Sequence, residues 1–199
     1  MLDIGEAVYG IFGPYGAIGL LICIFLIFII DALIFPTLPE VFTVIAYMYN
    51  PSPEWALAIL FTLLLGELVG MTTLYLIVER ISVPKRVSSI ATRYINFLIV
   101  GDERLLFINR FAPMVPFCGA FVSIIDSWSY RRALVFLLSG ALLKYSLILA
   151  MSGFFFRFFS GPEAQLYTMV FVFSFIALSF IYSSYRKRKY RPACRLDAD

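Results

Sequence analysis

Histidine is absent from this 199-residue chain, cysteine occurs only three times, and charged side chains make up 15% of it. Without histidine the chain lacks the commonest metal ligand and the usual general base at neutral pH, which counts against zinc-hydrolase and serine-hydrolase chemistry. Cys23, Cys118 and Cys194 are odd in number, far apart and without any C-x-x-C spacing, so neither a disulfide framework nor a thiolate metal site is indicated. They read as apolar filler. No catalytic residue, metal or other cofactor is therefore expected. The shortage of charge is matched by an excess of hydrocarbon: 61% of the residues are apolar, Phe and Tyr number 21 and 12, and the mean hydropathy is +0.90. Soluble domains hold ~45–50% apolar and ~25% charged residues. A water-soluble sphere of this size has too little interior to hide the difference, which excludes a soluble domain and makes the bilayer the solvent.

The amino terminus, with Asp3 and Glu6, has no positive n-region, and its apolar stretch runs into Pro36 without a small-residue cleavage site; it is expected to stay in the mature protein. Tyr15 to Ile30 is 16 uncharged residues, about 24 Å of helix and a little short of the ~30 Å hydrocarbon core. Asp31 follows, then Pro36, Pro39 and Glu40. Neither proline continues a helix without losing a hydrogen bond, so the helix breaks there. Val41 to Tyr49 adds nine mostly apolar residues before Asn50-Pro51-Ser52-Pro53 turns the chain. These lengths fit a re-entrant hairpin, with a complete crossing by the first stretch as the alternative. Trp55 to Val78 and Ala133 to Phe156 are spans of 24 residues, each with one charge near its centre, Glu67 and Lys144. A third span, Leu166 to Tyr182, is uncharged and ends in the basic run from Arg186 to Arg191, which reads as a stop-transfer anchor. Between the first two, Val87, Ile90, Ala91, Tyr94 and Leu98 recur at helical spacing and predict an interfacial helix beginning at Pro84. Arg104 to Arg110 then leads into Pro113 and Pro116, and on to Cys118 to Asp126, a second proline-broken hairpin.

Pro36 and Pro113 are 77 positions apart, as are Pro39 and Pro116, and as are Glu67 and Lys144. Each proline break is thus followed, after the same interval, by a helix with one embedded charge. Because a single crossing separates the hairpins, the halves have opposite orientations, the inverted-repeat arrangement of many transporters. The expectation is an all-α polytopic membrane protein with two proline-broken re-entrant hairpins in an inverted repeat plus about three full transmembrane helices. It comprises a single membrane domain over 1–185, with repeat halves at about 11–79 and 84–156 and an extra transmembrane helix at 164–185, and a basic cytoplasmic tail over 186–199. The first half presents Asp31, Glu40 and Glu67, the second Arg110 and Lys144. An unpaired charge at mid-bilayer costs ~2.5–3.5 kcal/mol on insertion scales, so each is expected to face a partner or a wet cavity. Two readings follow: a structural ion pair between Glu67 and Lys144, or a proton or substrate relay.

Three fragments carry a resemblance: Arg110-Phe111-x-Pro113; Asp31 followed by Pro36, Pro39 and Glu40; and Gly66-x-x-x-Gly70-x-x-x-x-Tyr75. In order and spacing, over about Ile11 to Phe156, they resemble the DedA family, also called VTT or SNARE-associated-domain membrane proteins. The chain departs from the family where a second Arg would follow, since Pro116-Phe117-Cys118 stands there, and where Val78-Glu79-Arg80 replaces a Gly-Arg after Tyr75. The missing Arg weakens the bidentate grip on a phosphate. The resemblance implies a lipid-handling transporter: bacterial relatives are associated with recycling polyprenyl-phosphate carriers and with proton-dependent membrane homeostasis, and eukaryotic relatives with phospholipid scrambling.

The leading expectation is a flippase or scramblase that moves an anionic head group through a cavity between the hairpins. Arg110 is the expected phosphate contact and Lys144 a second cation, with Pro113 and Pro116 at the substrate-side tip and Pro36 and Pro39 at the other. Asp31, Glu40 and Glu67 are candidate proton-coupling sites. The expected partners are phosphate-bearing membrane lipids and protons, with no nucleic acid; a homo-oligomer is compatible with the sequence. A proton-coupled exporter of small cations is the alternative, and a non-transporting membrane scaffold a further one; a membrane-embedded phosphatase fits poorly without His or clustered metal ligands. The basic flanks, including Arg80, Lys85, Arg86, Arg131, Arg132 and Arg186 to Arg191, predict a multi-pass protein of the cell membrane with a cytoplasmic carboxyl terminus.

Overall fold

A computed structural model describes residues 16–33, 39–81, 102–111, 117–125, 127–159 and 161–189, with the side chains of the last segment described only at 163, 166–178 and 181. Every regular element among them is helical: α1 (Gly16–Leu33), α2 (Pro39–Tyr49), α3 (Pro53–Arg80), α4 (Leu105–Asn109), α5 (Cys118–Ile124), α6 (Tyr130–Phe158) and α7 (Gly161–Lys189). The expected interfacial helix from Pro84 and the breaks at Pro36, Pro113 and Pro116 lie outside the described residues, as does the tail beyond Lys189. Local chemistry accounts for the starts. Ser52 caps α3 by accepting from the Trp55 N–H at 3.3 Å, and Pro53 occupies the first turn, where its missing donor has no cost. Pro39 opens α2 in the same way, and the Thr43 hydroxyl donates to the Pro39 carbonyl at 2.7 Å.

Helix α6 is capped from a distance. The Ser129 side chain makes no cap bond, and the Ser129 N–H is instead taken by the Glu103 carboxylate at 2.7 Å. Burial pushes the Glu103 carboxyl up, but the N–H bonds from Ser129 and its own backbone, with the charge of Arg132, hold it below the usual carboxylate range. A depressed carboxyl stabilises the fold above its unfolded titration range, and that contribution is lost as pH falls through its folded value. Glu103→Ala is expected to cost about 0.5–2 kcal/mol, the range of a lost cap. Denaturant melts in detergent at neutral pH should show the loss, and it should shrink as the pH is lowered past the carboxylate range.

The packing directions follow from glycine contacts. A methyl group on Gly66 would lie 2.9 Å from the Phe25 carbonyl, and one on Gly70 would lie 2.6 Å from the Ala32 Cβ, so this small-residue stripe lets α3 lie directly against α1. Since Phe25 meets Gly66 and Ala32 meets Gly70, the two helices run in the same direction. Ala32 lies beside Gly70, ten residues before α3 ends, which is about 15 Å of helix at ~1.5 Å per residue. Helix α2 then comes back: Tyr47 reaches Gly153 and Phe156 near the end of α6, and Ala46 accepts from the Trp55 indole at 2.8 Å at the start of α3. Helix α6 is antiparallel to α3, with Tyr130 at 2.7 Å from the Thr72 hydroxyl, and α7 returns along α6 through the Phe155, Phe159 and Tyr167 rings. Helices α4 and α5 repeat the excursion from the other end: Phe107 lies against Gly140 of α6, and Gly119 of α5 lies against the backbone of Met71 and Tyr75 of α3.

Two apolar clusters result. One joins α1, α2, α3, α6 and α7 through Ile24, Phe28, Val44, Ile59, Leu63 and Ile148; the other joins α3 to α6 through Met71, Leu105, Leu106, Val122 and Leu137. Large apolar side chains also cover the outside: Ile18, Ile22, Leu26 and Ile30 form an exposed stripe on α1, and Leu57, Phe61, Leu65 and Val69 one on α3. In water such stripes would be a standing penalty, whereas acyl chains receive them without cost. Among the described residues, α1, α3 and α6 are long and apolar enough to cross a membrane, compatible with a membrane-embedded protein. Helix α7, 29 residues long, runs over the expected span at 164–185, and Leu166–Leu178 is its described apolar stretch.

Candidate functional site

The two long helices each carry a charge to the seam between the apolar clusters. Glu67 falls between Leu63 of one cluster and Met71 of the other, and its side chain is fully buried. Lys144 lies similarly between Leu137 and Tyr145 and is buried. The short elements bring their complements. Arg110, immediately after α4, directs its Nη2 to the Glu67 Oε1, and Glu40, in the first turn of α2 directly after Pro39, receives the Lys144 Nζ. The Arg110 stem reaches this position because α6 has no side chain at Gly140, where a methyl group would lie 2.9 Å from the Phe107 carbonyl and 3.2 Å from the Arg110 Cγ.

The expected Glu67–Lys144 ion pair is therefore not the one that forms. Each long-helix charge is instead met by a charge from a short element, Glu67 by Arg110 after α4 and Lys144 by Glu40 of α2. Lys144 remains within electrostatic reach of Glu67, as do Asp31 in the last turn of α1 and Glu40. All five embedded charges singled out in the sequence thus share one site. Of these five groups, three are carboxylates and two are cations.

Two atoms in the site have unused hydrogen-bonding capacity: Glu67 Oε2 and Arg110 Nε are buried without a hydrogen-bond partner among the described residues. A buried acceptor and donor left open beside an ion pair cost desolvation energy that the pair itself does not return. Other groups in the site were not legible as functional. The Tyr145 ring is fully buried, edge-on to Phe28 at 5.1 Å, and the Lys144 Nζ lies 5.4 Å from its centroid. Asn109 donates to the Cys118 Sγ at 3.3 Å, tying the end of α4 to the start of α5. Adjacency of Tyr145 to Lys144 and of Asn109 to Arg110 is the one sequence signal that could have pointed to them. Of the hairpin prolines, the described residues contain only Pro39; Pro36, Pro113 and Pro116 lie outside them. Phe117, next to Pro116, has φ 51°, a left-handed backbone that costs about 1–2 kcal/mol for a residue with a Cβ. It directly precedes α5. No family model, curated protein or solved structure matches the chain.

Proposed function

We propose that the protein is a membrane transporter of the DedA type, a flippase or scramblase that moves an anionic polyprenyl-phosphate or phospholipid head group across the cell membrane with protons as the coupling ion. The observation that carries this reading is the Glu67–Arg110 pair with its open Oε2 and Nε. A phosphate competes with Glu67 for the same guanidinium fork, so it enters when Glu67 releases Arg110. Proton uptake by Glu67 removes the charge that holds Arg110 and loosens that pair. Proton and anion therefore bind together, and movement accelerates as pH falls. The parallel course of α1 with α3 and the return of α2 support a re-entrant first hairpin, and α4 with α5 supports a second. The starts of α3 and α6, Pro53 and Tyr130, are 77 positions apart, which supports the inverted repeat.

Purified protein in liposomes is the test, with lipids labelled on the head group and a reductant added outside. Wild type should move a phosphate-bearing lipid, faster at acid pH, and Asp31→Asn should leave a slower movement with no pH response. If protein-loaded and empty liposomes behave alike with every phospholipid and polyprenyl-phosphate, lipid transport is wrong. The gathering of Asp31, Glu40 and Glu67 in one site favours the second reading, a proton-coupled exporter of small cations, which the same liposomes would reveal through cation-stimulated proton release. A scaffold would move neither lipid nor cation, and would tolerate charge removal at Asp31 and Arg110 provided folding survived.

The helix directions place the ends of α3 and α7 beside the start of α6, gathering Arg80, Arg131, Arg132 and the run from Arg186 on one side. By the positive-inside rule that side is cytoplasmic. A membrane-impermeant maleimide should fail to label Cys194 from outside intact cells in a Cys23→Ala/Cys118→Ala background and should label it after permeabilisation.

A further inference from the structure

Away from the embedded charges, the junction of α4 with α6 forms an open depression of about 450 Å³ lined by Asp102, Glu103, Arg104, Arg131, Arg132, Val135 and Phe136. Its charges are unequally committed. Glu103 is buried and spent on the Ser129 N–H, and Asp102 faces Arg104 at 3.6 Å while accepting from the Arg104 N–H at 3.0 Å. Arg131 and Arg132, both exposed in the first turn of α6, make no ion pair with a described residue. Three guanidinium groups against two carboxylates leave the rim one positive charge in excess.

The wall of the depression is apolar. Val135 lies one turn into α6 and is 63% exposed, with Phe136 beside it. Tyr75 and Tyr130 pack ring to ring at 4.6 Å at the same end of the helices, and aromatic side chains at the ends of membrane-spanning helices characteristically meet lipid head groups. A cationic rim at head-group depth, continuous with an apolar wall that descends along a membrane-compatible helix, matches one kind of molecule in shape and charge. We propose that this depression binds the head group of an anionic glycerophospholipid, its phosphodiester held by Arg131 and Arg132 and an acyl chain lying along Val135. A phosphodiester carries the single negative charge that the rim lacks, and arginine presents the planar fork that suits it. The proposal does not rest on transport, because it concerns residence of a lipid at the end of α6 and not passage through the Glu67–Arg110 site.

The test uses full-length protein in nanodiscs of phosphatidylcholine doped with a phosphatidylglycerol carrying a photoreactive group next to its phosphate. Crosslinks should map to residues 131–136 and exceed those of the matching phosphatidylcholine probe at least tenfold. Arg131→Gln/Arg132→Gln, two exposed positions whose change should leave the protein folded at neutral pH, should abolish the difference, and Val135→Ser should reduce it. Inorganic phosphate at 10 mM should not compete. Equal labelling by both probes, labelling elsewhere, or an unchanged pattern in the double variant would overturn the proposal. Full competition by inorganic phosphate would do so too, by showing a site for free anions instead of lipid.

Discussion

Arg110→Ala is expected to abolish lipid movement and to destabilise the protein by about 3–5 kcal/mol, the cost of stripping one partner from a buried ion pair. Glu67 is fully buried, and Arg110 donates to its Oε1. Once the guanidinium is gone, the carboxylate either stays charged in an apolar seam or takes up a proton, and both outcomes are costly relative to the native pair. Thermal unfolding in detergent measures this loss. A second variant separates stability from function: Arg110→Ala/Glu67→Gln removes both charges and should recover much of the stability while moving no lipid. Arg110→Lys keeps the charge but not the fork, so it should fold nearly as wild type and move phosphate lipids poorly. Wild-type transport by the lysine variant would show that bidentate recognition is wrong.

The other large effect concerns Lys144. Either Lys144→Met or Glu40→Gln alone leaves a charge buried beside the seam, and the two changes together should be less damaging than their sum by about 0.5–3 kcal/mol, the coupling expected of contacting residues. The pairing of Lys144 with Glu40, not Glu67, makes a contrasting double variant informative. Lys144→Met/Glu67→Gln exposes Glu40 and Arg110 at once, so its cost should approach the sum of the single costs. Rescue in that variant, with none in Lys144→Met/Glu40→Gln, would mean that the long-helix charges meet each other directly.

Much of the architecture was legible in composition and spacing. The starts of α3 and α6 fall within three residues of the apolar runs at Trp55 and Ala133, because a span that must satisfy its backbone in lipid has no alternative to helix. The reversal between α1 and α2 was legible from Pro36 and Pro39, and the two helices do run in opposite directions on either side of them. Less legible was the reach of the first stretch. Asp31 does not end α1, since a single carboxylate is tolerated in a helix that turns it toward Glu67 and Arg110. The depression at Arg131 was not legible as a site at all, because it depends on α4 and α6 meeting end to end, and Arg104 is 27 positions away from Arg131 in the chain.

The sequence by itself determined the helical class, the long apolar helices compatible with a membrane and the identity of the five clustered charges, since each follows from local composition or from the cost of placing a charge in an apolar helix. Only the tertiary structure decided which charges meet. Glu67 and Lys144 share mid-helix positions 77 residues apart and invite pairing on paper, yet complementarity depends on which segment lies between the long helices at that depth. Gly140 admits Arg110 to Glu67, and the Pro39 start of α2 delivers Glu40 to Lys144. Ion pairing acts over a few ångströms, and no spacing along the chain encodes a distance between helices that meet only when the whole bundle has packed.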